Sequence, residues 1–106
     1  MSAAVPVRID LRQEPGAAVL SLAGSLDVAT TAAARRDVAR RLDGSPPGAL
    51  EVDASGLTRA DMSGMSLLYE LAQGRLVPGV RATVRGLRPE FATLLAAFPP
   101  TADLDG

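Results

Sequence analysis

Two hydrophobic periods alternate along this chain, and their order restricts the fold more than any other feature. Val7, Ile9 and Leu11 alternate with Arg8, Asp10 and Arg12, the period-two pattern of a strand with one buried face. Pro15-Gly16 is a turn signal and Ala18 to Ala23 reads as a second strand, which predicts an antiparallel hairpin. Gly24 is the expected end of that strand. Asp27 or Thr30 then caps a helix over 29–42, whose inner face carries Thr31, Ala34, Val38 and Leu42. Gly44 to Gly48 is a loop by composition, and Ala49 to Ala54 predicts a central third strand. A helix from Met65 to Ala72 stops near Gly74, and Pro78-Gly79 turns into a fourth strand through Val80, Ala82 and Val84. Pro89 opens a last helix with Phe91, Leu94, Leu95 and Phe98 on one face, which Pro99-Pro100 ends.

The order β-β-α-β-α-β-α predicts an α/β fold. Strand–helix–strand units call for parallel pairing and the hairpin adds an antiparallel member, giving a mixed four-stranded sheet with helices packed against it. The 106 residues suffice for one domain, with a core over about 5–98 and a loose tail over 99–106.

Composition removes several kinds of chemistry. The chain has neither Cys nor His, which excludes thiol chemistry, disulfides, most zinc sites and the usual general base. No metal or cofactor is expected. The net charge is −1 and all basic residues are scattered arginines, so nothing marks a nucleic-acid footprint. No segment approaches the ~18–20 apolar residues that span a bilayer. Met1-Ser2-Ala3-Ala4 lacks the features of a secretory signal, and a cytoplasmic protein is the expectation.

The stretch Leu57 to Met65 (LTRADMSGM) sets a hydroxyl, Ser63, at the mouth of the second helix. Helix mouths present unpaired N–H groups and partial positive charge, and so favour anions, including a phosphate made on the hydroxyl itself. Helical spacing puts Ser63, Ser66, Glu70 and Gln73 on one polar stripe, with Met65, Leu68 and Ala72 on the buried side. Met62 and Tyr69, a heptad apart beside that stripe, serve either as core edge or as partner anchors. Asp27 and Asp61 read first as helix caps. Arg59, in the loop entering the helix, is placed to meet a phosphate on Ser63 or a partner carboxylate. The first-helix arginines read as a solvated face, and Asp53-Ala54-Ser55-Gly56 as a strand end and turn. A hydrolase using Ser63 with Asp27 or Asp61 lacks any His or Lys to activate the hydroxyl.

Three motifs in order carry a family resemblance: Gly24-Ser25-Leu26-Asp27 before the first helix, Val52-Asp53-Ala54-Ser55-Gly56-Leu57, and Asp61-Met62-Ser63-Gly64-Met65. Together they resemble the STAS domain of sulfate-transporter cytoplasmic regions and bacterial anti-sigma factor antagonists. In the antagonist branch, the resemblance implies a non-enzymatic module that binds an anti-sigma factor, itself a serine kinase, and releases it once the serine before the glycine is phosphorylated. That serine is Ser63 here. Asp27, Asp61, Gly64 and Arg59 are then its neighbours, and Met62, Ser66, Tyr69 and Glu70 the partner-facing residues. Met62 departs from the Ser or Thr usual at its position. A second branch supplies the accessory subunit of an ABC-type phospholipid transport complex, with an ATPase and permease as partners. Gly86-Leu87-Arg88-Pro89-Glu90 and Leu94-Leu95 resemble that branch's closing helix, whereas Met62 stands where it often carries a hydroxyl.

Overall fold

A computed structural model describes residues 7–43, 48–77 and 79–98. Its elements run β1 (Arg8–Glu14), β2 (Ala17–Leu26), α1 (Thr31–Asp43), β3 (Ala49–Ala60), α2 (Met62–Ala72), β4 (Ala82–Arg85) and α3 (Pro89–Ala96). The four strands form one sheet in chain order, with β1 antiparallel to β2 and β2, β3 and β4 mutually parallel. This is the mixed α/β sheet that the order of periods predicts. The expected tail over 99–106 lies outside the described residues, as do most of the 44–48 loop and Pro78 of the turn.

The period of two sorts the sheet into unlike faces. On one, Ala18, Leu20 and Leu22 of β2 and Leu50, Val52 and Ala54 of β3 are buried, with Ile9 and Leu11 of β1 alongside in register. The other face carries Arg8, Asp10 and Arg12 on β1, Glu51 and Asp53 on β3, and Arg85 on β4, which pairs with Glu51 and lies 3.7 Å from Asp53. α2 closes the apolar face: Met65, Leu67, Leu68 and Leu71 are all at most 1% exposed. Each such side chain contributes about 1.5–3 kcal/mol of burial. Thr31, Ala34, Val38 and Leu42 of α1 are buried as their spacing predicts, and Phe91 seats α3.

Element ends differ from expectation. β2 does not stop at Gly24, because Gly24 takes φ +96° and lets the strand bend and continue to Leu26. The prolonged β2 gives β3 a partner beyond Ala54. Ser21 pairs with Asp53 and Ala23 with Gly56, and this register shift absorbs the Asp53-Ala54-Ser55-Gly56 segment within the strand. It is therefore no strand end. α1 starts at Thr31 rather than Ala29, because the Ala29 N–H donates to Asp27 Oδ1 and the Thr30 and Thr31 N–H groups to the Asp27 carbonyl. α2 begins three residues before Met65, at Met62, and β4 begins at Ala82 rather than Val80.

Candidate functional site

The parallel strands β2 and β3 end side by side at Leu26 and Ala60, and α2 starts one residue later. Asp61 is the joint. It sits in extended backbone as the N-cap, and its Oδ1 accepts the Gly64 N–H at 3.1 Å. Its Oδ2 accepts the Val28 N–H of the β2–α1 loop at 3.0 Å. One carboxylate thus caps α2 and holds the loop over the helix start. Of the two roles weighed for Asp61, the cap is the one the geometry displays. Its reach to residue 28 depends on a contact 33 positions away.

Gly64 explains why the chain has no side chain here. A Cβ at this position would lie 2.1 Å from the Leu26 carbonyl oxygen and 2.9 Å from Leu26 Cγ. The first turn of α2 therefore rests directly on the end of β2. Ser63, just before it, is the second helical residue and partly exposed, not outside the helix mouth. Two apolar side chains stand in solvent around this corner, Met62 at 45% and Val28 at 76% exposure. Val28 escaped the sequence reading because a lone valine beside a turn carries no periodic signal.

Asp27 turns inward upon its own loop. Its Oδ1 accepts the Ala29 N–H at 2.9 Å, and its carbonyl accepts the Thr31 hydroxyl at 2.6 Å. The Thr30 hydroxyl donates to the Ser25 carbonyl at 2.8 Å and accepts the Asp27 N–H at 3.1 Å, knitting the loop together. Arg59 lies on β3 opposite Ser25, not in a loop, and is exposed. Asp27, Arg59 and Asp61 meet around an open cleft of about 480 Å³ formed by residues 27–29, 58–61 and 90–91. Glu90 of the first turn of α3 joins them, unforeseen in the sequence because no local pattern links α3 to β3. Ser63 is beside this cleft in sequence but does not line it. Among the described residues, no three acidic side chains converge where a metal would sit.

The polar stripe on α2 is organised from α1. Arg35 Nη2 donates to Glu70 Oε2 at 3.2 Å and to Ser66 Oγ at 3.4 Å. Its Nε lies 3.2 Å from Glu70 Oε1, within ion-pair distance but off the hydrogen-bonding direction. The Ser66 hydroxyl donates to the Ser63 carbonyl at 2.7 Å. Arg35 is thus no part of a merely solvated face, and Ser66 and Glu70 are already engaged within the chain. Tyr69 stacks on Phe98 with centroids 5.0 Å apart, which makes it core edge fastening the end of α3 to α2.

On the far side of the sheet, Asp53 Oδ1 accepts both the hydroxyl (2.7 Å) and the N–H (3.0 Å) of Ser55. These bonds, the hydroxyl's first, hold its carboxyl below the ordinary carboxylate range against a small opposing effect of burial.

Comparison with known proteins bears on this geometry. A family model described as Mlab, STAS domain, matches residues 9–99. No curated protein sequence matches the chain significantly. Among solved structures, the anti-sigma factor antagonist SpoIIAA in its unphosphorylated form aligns with a TM-score of 0.64 at 16% identity, over 92% of this chain and 94% of that one. An anti-sigma factor antagonist from Mycobacterium paratuberculosis aligns at 0.64 and 21%, over 92% and 89%. The murine anion transporter Slc26a9 aligns at 0.68 and 20%, over 87% of this chain but only 15% of the transporter. At these identities the likeness is one of fold.

Proposed function

This chain belongs to the STAS domain family, and from that premise we propose that it is a non-enzymatic binding module of the anti-sigma factor antagonist kind, switched by phosphorylation of Ser63. Its partner would be an anti-sigma factor that is itself a serine kinase. The observation that carries this reading is the corner at the start of α2: a partly exposed Ser63 in the first helical turn, flanked by exposed Met62 and Val28. Apolar side chains around a hydroxyl make a surface that a partner can dry. A phosphate there adds about −1.5 to −2 charges and keeps water in the contact.

Most of the surrounding charges act in the same direction. The Gly64 N–H, which a helix-start anion would otherwise recruit, is already occupied by Asp61. A phosphate on Ser63 therefore meets a standing carboxylate, and that carboxylate shares the neighbouring cleft with Asp27, Glu90 and Arg59. Three carboxylates against the single guanidinium of Arg59 leave the modified corner net anionic, which favours release of an apolar or acidic partner surface. Met62 and Val28 are the contact residues in this reading, whereas Ser66, Tyr69 and Glu70 support the helix that presents them.

Binding measurements with the candidate anti-sigma factor test the proposal. Wild type and Ser63→Ala should bind alike, Ser63→Asp should bind at least about tenfold more weakly, and incubation with the kinase and ATP should place one phosphate on Ser63. Equal binding by Ser63→Asp sinks the switch.

The alternative reading, an accessory subunit of an ABC-type phospholipid transport complex, draws on the Mlab description of the matching family model. It predicts copurification with a permease and ATPase that is indifferent to Ser63→Asp.

A further inference from the structure

β1 is the outer strand of the sheet, and no described strand lies beyond it. Among the described residues, one row of its backbone N–H and C=O groups has no ladder partner, the arrangement that invites another strand. Its exposed face reads Arg8, Asp10, Arg12, Glu14. Charges of one sign along an edge would repel a copy of itself at every register. This edge does the reverse.

Consider a second β1 laid antiparallel about a two-fold axis through Leu11. Arg8 then stands opposite Glu14 of the other copy, and Asp10 opposite its Arg12. By symmetry both contacts recur, so all four charges on each strand face an opposite charge. On the other face Leu11 meets Leu11, and Ile9 meets Gln13. Sliding the register by two residues in either direction breaks the match. A centre at Asp10 aligns Arg8 with Arg12 and Asp10 with itself; a centre at Arg12 aligns Asp10 with Glu14 and Arg12 with itself.

We propose that β1 is a self-association edge: two copies of this chain pair their β1 strands antiparallel about Leu11, joining two four-stranded sheets into one of eight strands. Antiparallel pairing admits a residue opposite itself in either a hydrogen-bonded or a non-hydrogen-bonded pair, so the backbone imposes no conflict. β1 contributes no residue to the cleft at the start of α2, so both copies keep that corner open.

Sedimentation of the full chain from about 10 µM to about 1 mM measures the association. Arg12→Glu sets a carboxylate opposite Asp10 at both symmetry-related positions and should weaken the dimer at least tenfold, as two cross-strand attractions become repulsions. The double variant Asp10→Arg/Arg12→Asp restores opposite charges and should restore the dimer. These side chains are exposed, so folding is unaffected, and circular dichroism checks this.

Register is read separately, because the chain has no cysteine of its own. Under mild oxidation, a mixture of Asp10→Cys and Arg12→Cys chains should cross-link chiefly between unlike partners. Directly opposite residues fall within disulfide reach, whereas like positions lie on the longer diagonal. A chain that stays monomeric to about 1 mM, a dimer indifferent to Arg12→Glu, or cross-linking between like chains would each overturn the proposal. So would a dimer that the charge swap fails to rescue.

Discussion

Replacing Gly64 by alanine sets two magnitudes against each other. In an isolated helix the change is favourable, by about 1 kcal/mol, because alanine is the better helix former. Here the added methyl would sit 2.1 Å from the Leu26 carbonyl oxygen and 2.9 Å from both the carbonyl carbon and Cγ of Leu26. Van der Waals contact requires roughly 3.4 Å or more, so α2 and the end of β2 must part by about 1 Å. The nearest atom is backbone, held in the sheet next to Ala60, and cannot rotate away as a side chain tip would. Forced separation of this kind costs typically 1–3 kcal/mol, and the backbone position of the clash puts Gly64→Ala at the upper end. After the gain in propensity, a net loss of about 2 kcal/mol remains, or roughly 8–16 °C in Tm for a domain of this size. Thermal and urea unfolding followed by far-ultraviolet circular dichroism measure it. A Gly64→Ala protein as stable as wild type, or more stable, would show that propensity outweighs the contact and that α2 does not rest on Leu26.

Two further outcomes follow from the same corner and from the far face of the sheet. Asp61→Ala removes the α2 cap and the tie to Val28 and should cost about 1–2 kcal/mol, with faster hydrogen exchange at the Gly64 and Val28 amides; Asp61→Asn, which keeps an accepting oxygen, should lose less, and unchanged exchange at Val28 would refute the tie. Asp53 titrates lower in the folded chain than in the unfolded chain, so its contribution is present above the unfolded carboxylate range and is lost as pH falls toward its folded value. Asp53→Asn should therefore flatten the acid limb of stability against pH. An acid limb identical to wild type in urea unfolding series would contradict this.

Much of the molecule was legible in its one-dimensional pattern. The period-two runs placed β1 and the buried face of β2. The helical period named Thr31, Ala34, Val38 and Leu42 as the inner face of α1, and all four are buried. The Asp61 to Met65 motif located the corner where Ser63, Gly64 and the Asp61 cap come together. Errors cluster where the chain departs from one period without changing element. Gly24 bends β2 rather than ending it, and the register shift opposite Ser21 and Ala23 carries β3 through a segment that reads locally as a turn. A glycine in a strand signals a bend or an end equally well, and only the neighbouring strand decides between them.

The sequence by itself determined the order of elements and their buried faces, because each follows from preferences that act over a few residues, while its family resemblance marked Ser63 as the switch candidate. Tertiary structure alone decided how those residues are used. Asp61 reaches Val28, Arg35 reaches Glu70 and Ser66, Tyr69 stacks on Phe98, and Gly64 presses on Leu26 across separations of about thirty residues or more. No spacing rule encodes such pairs. They exist because parallel strands return the chain to the same edge of the sheet, where close packing brings distant segments within hydrogen-bonding range.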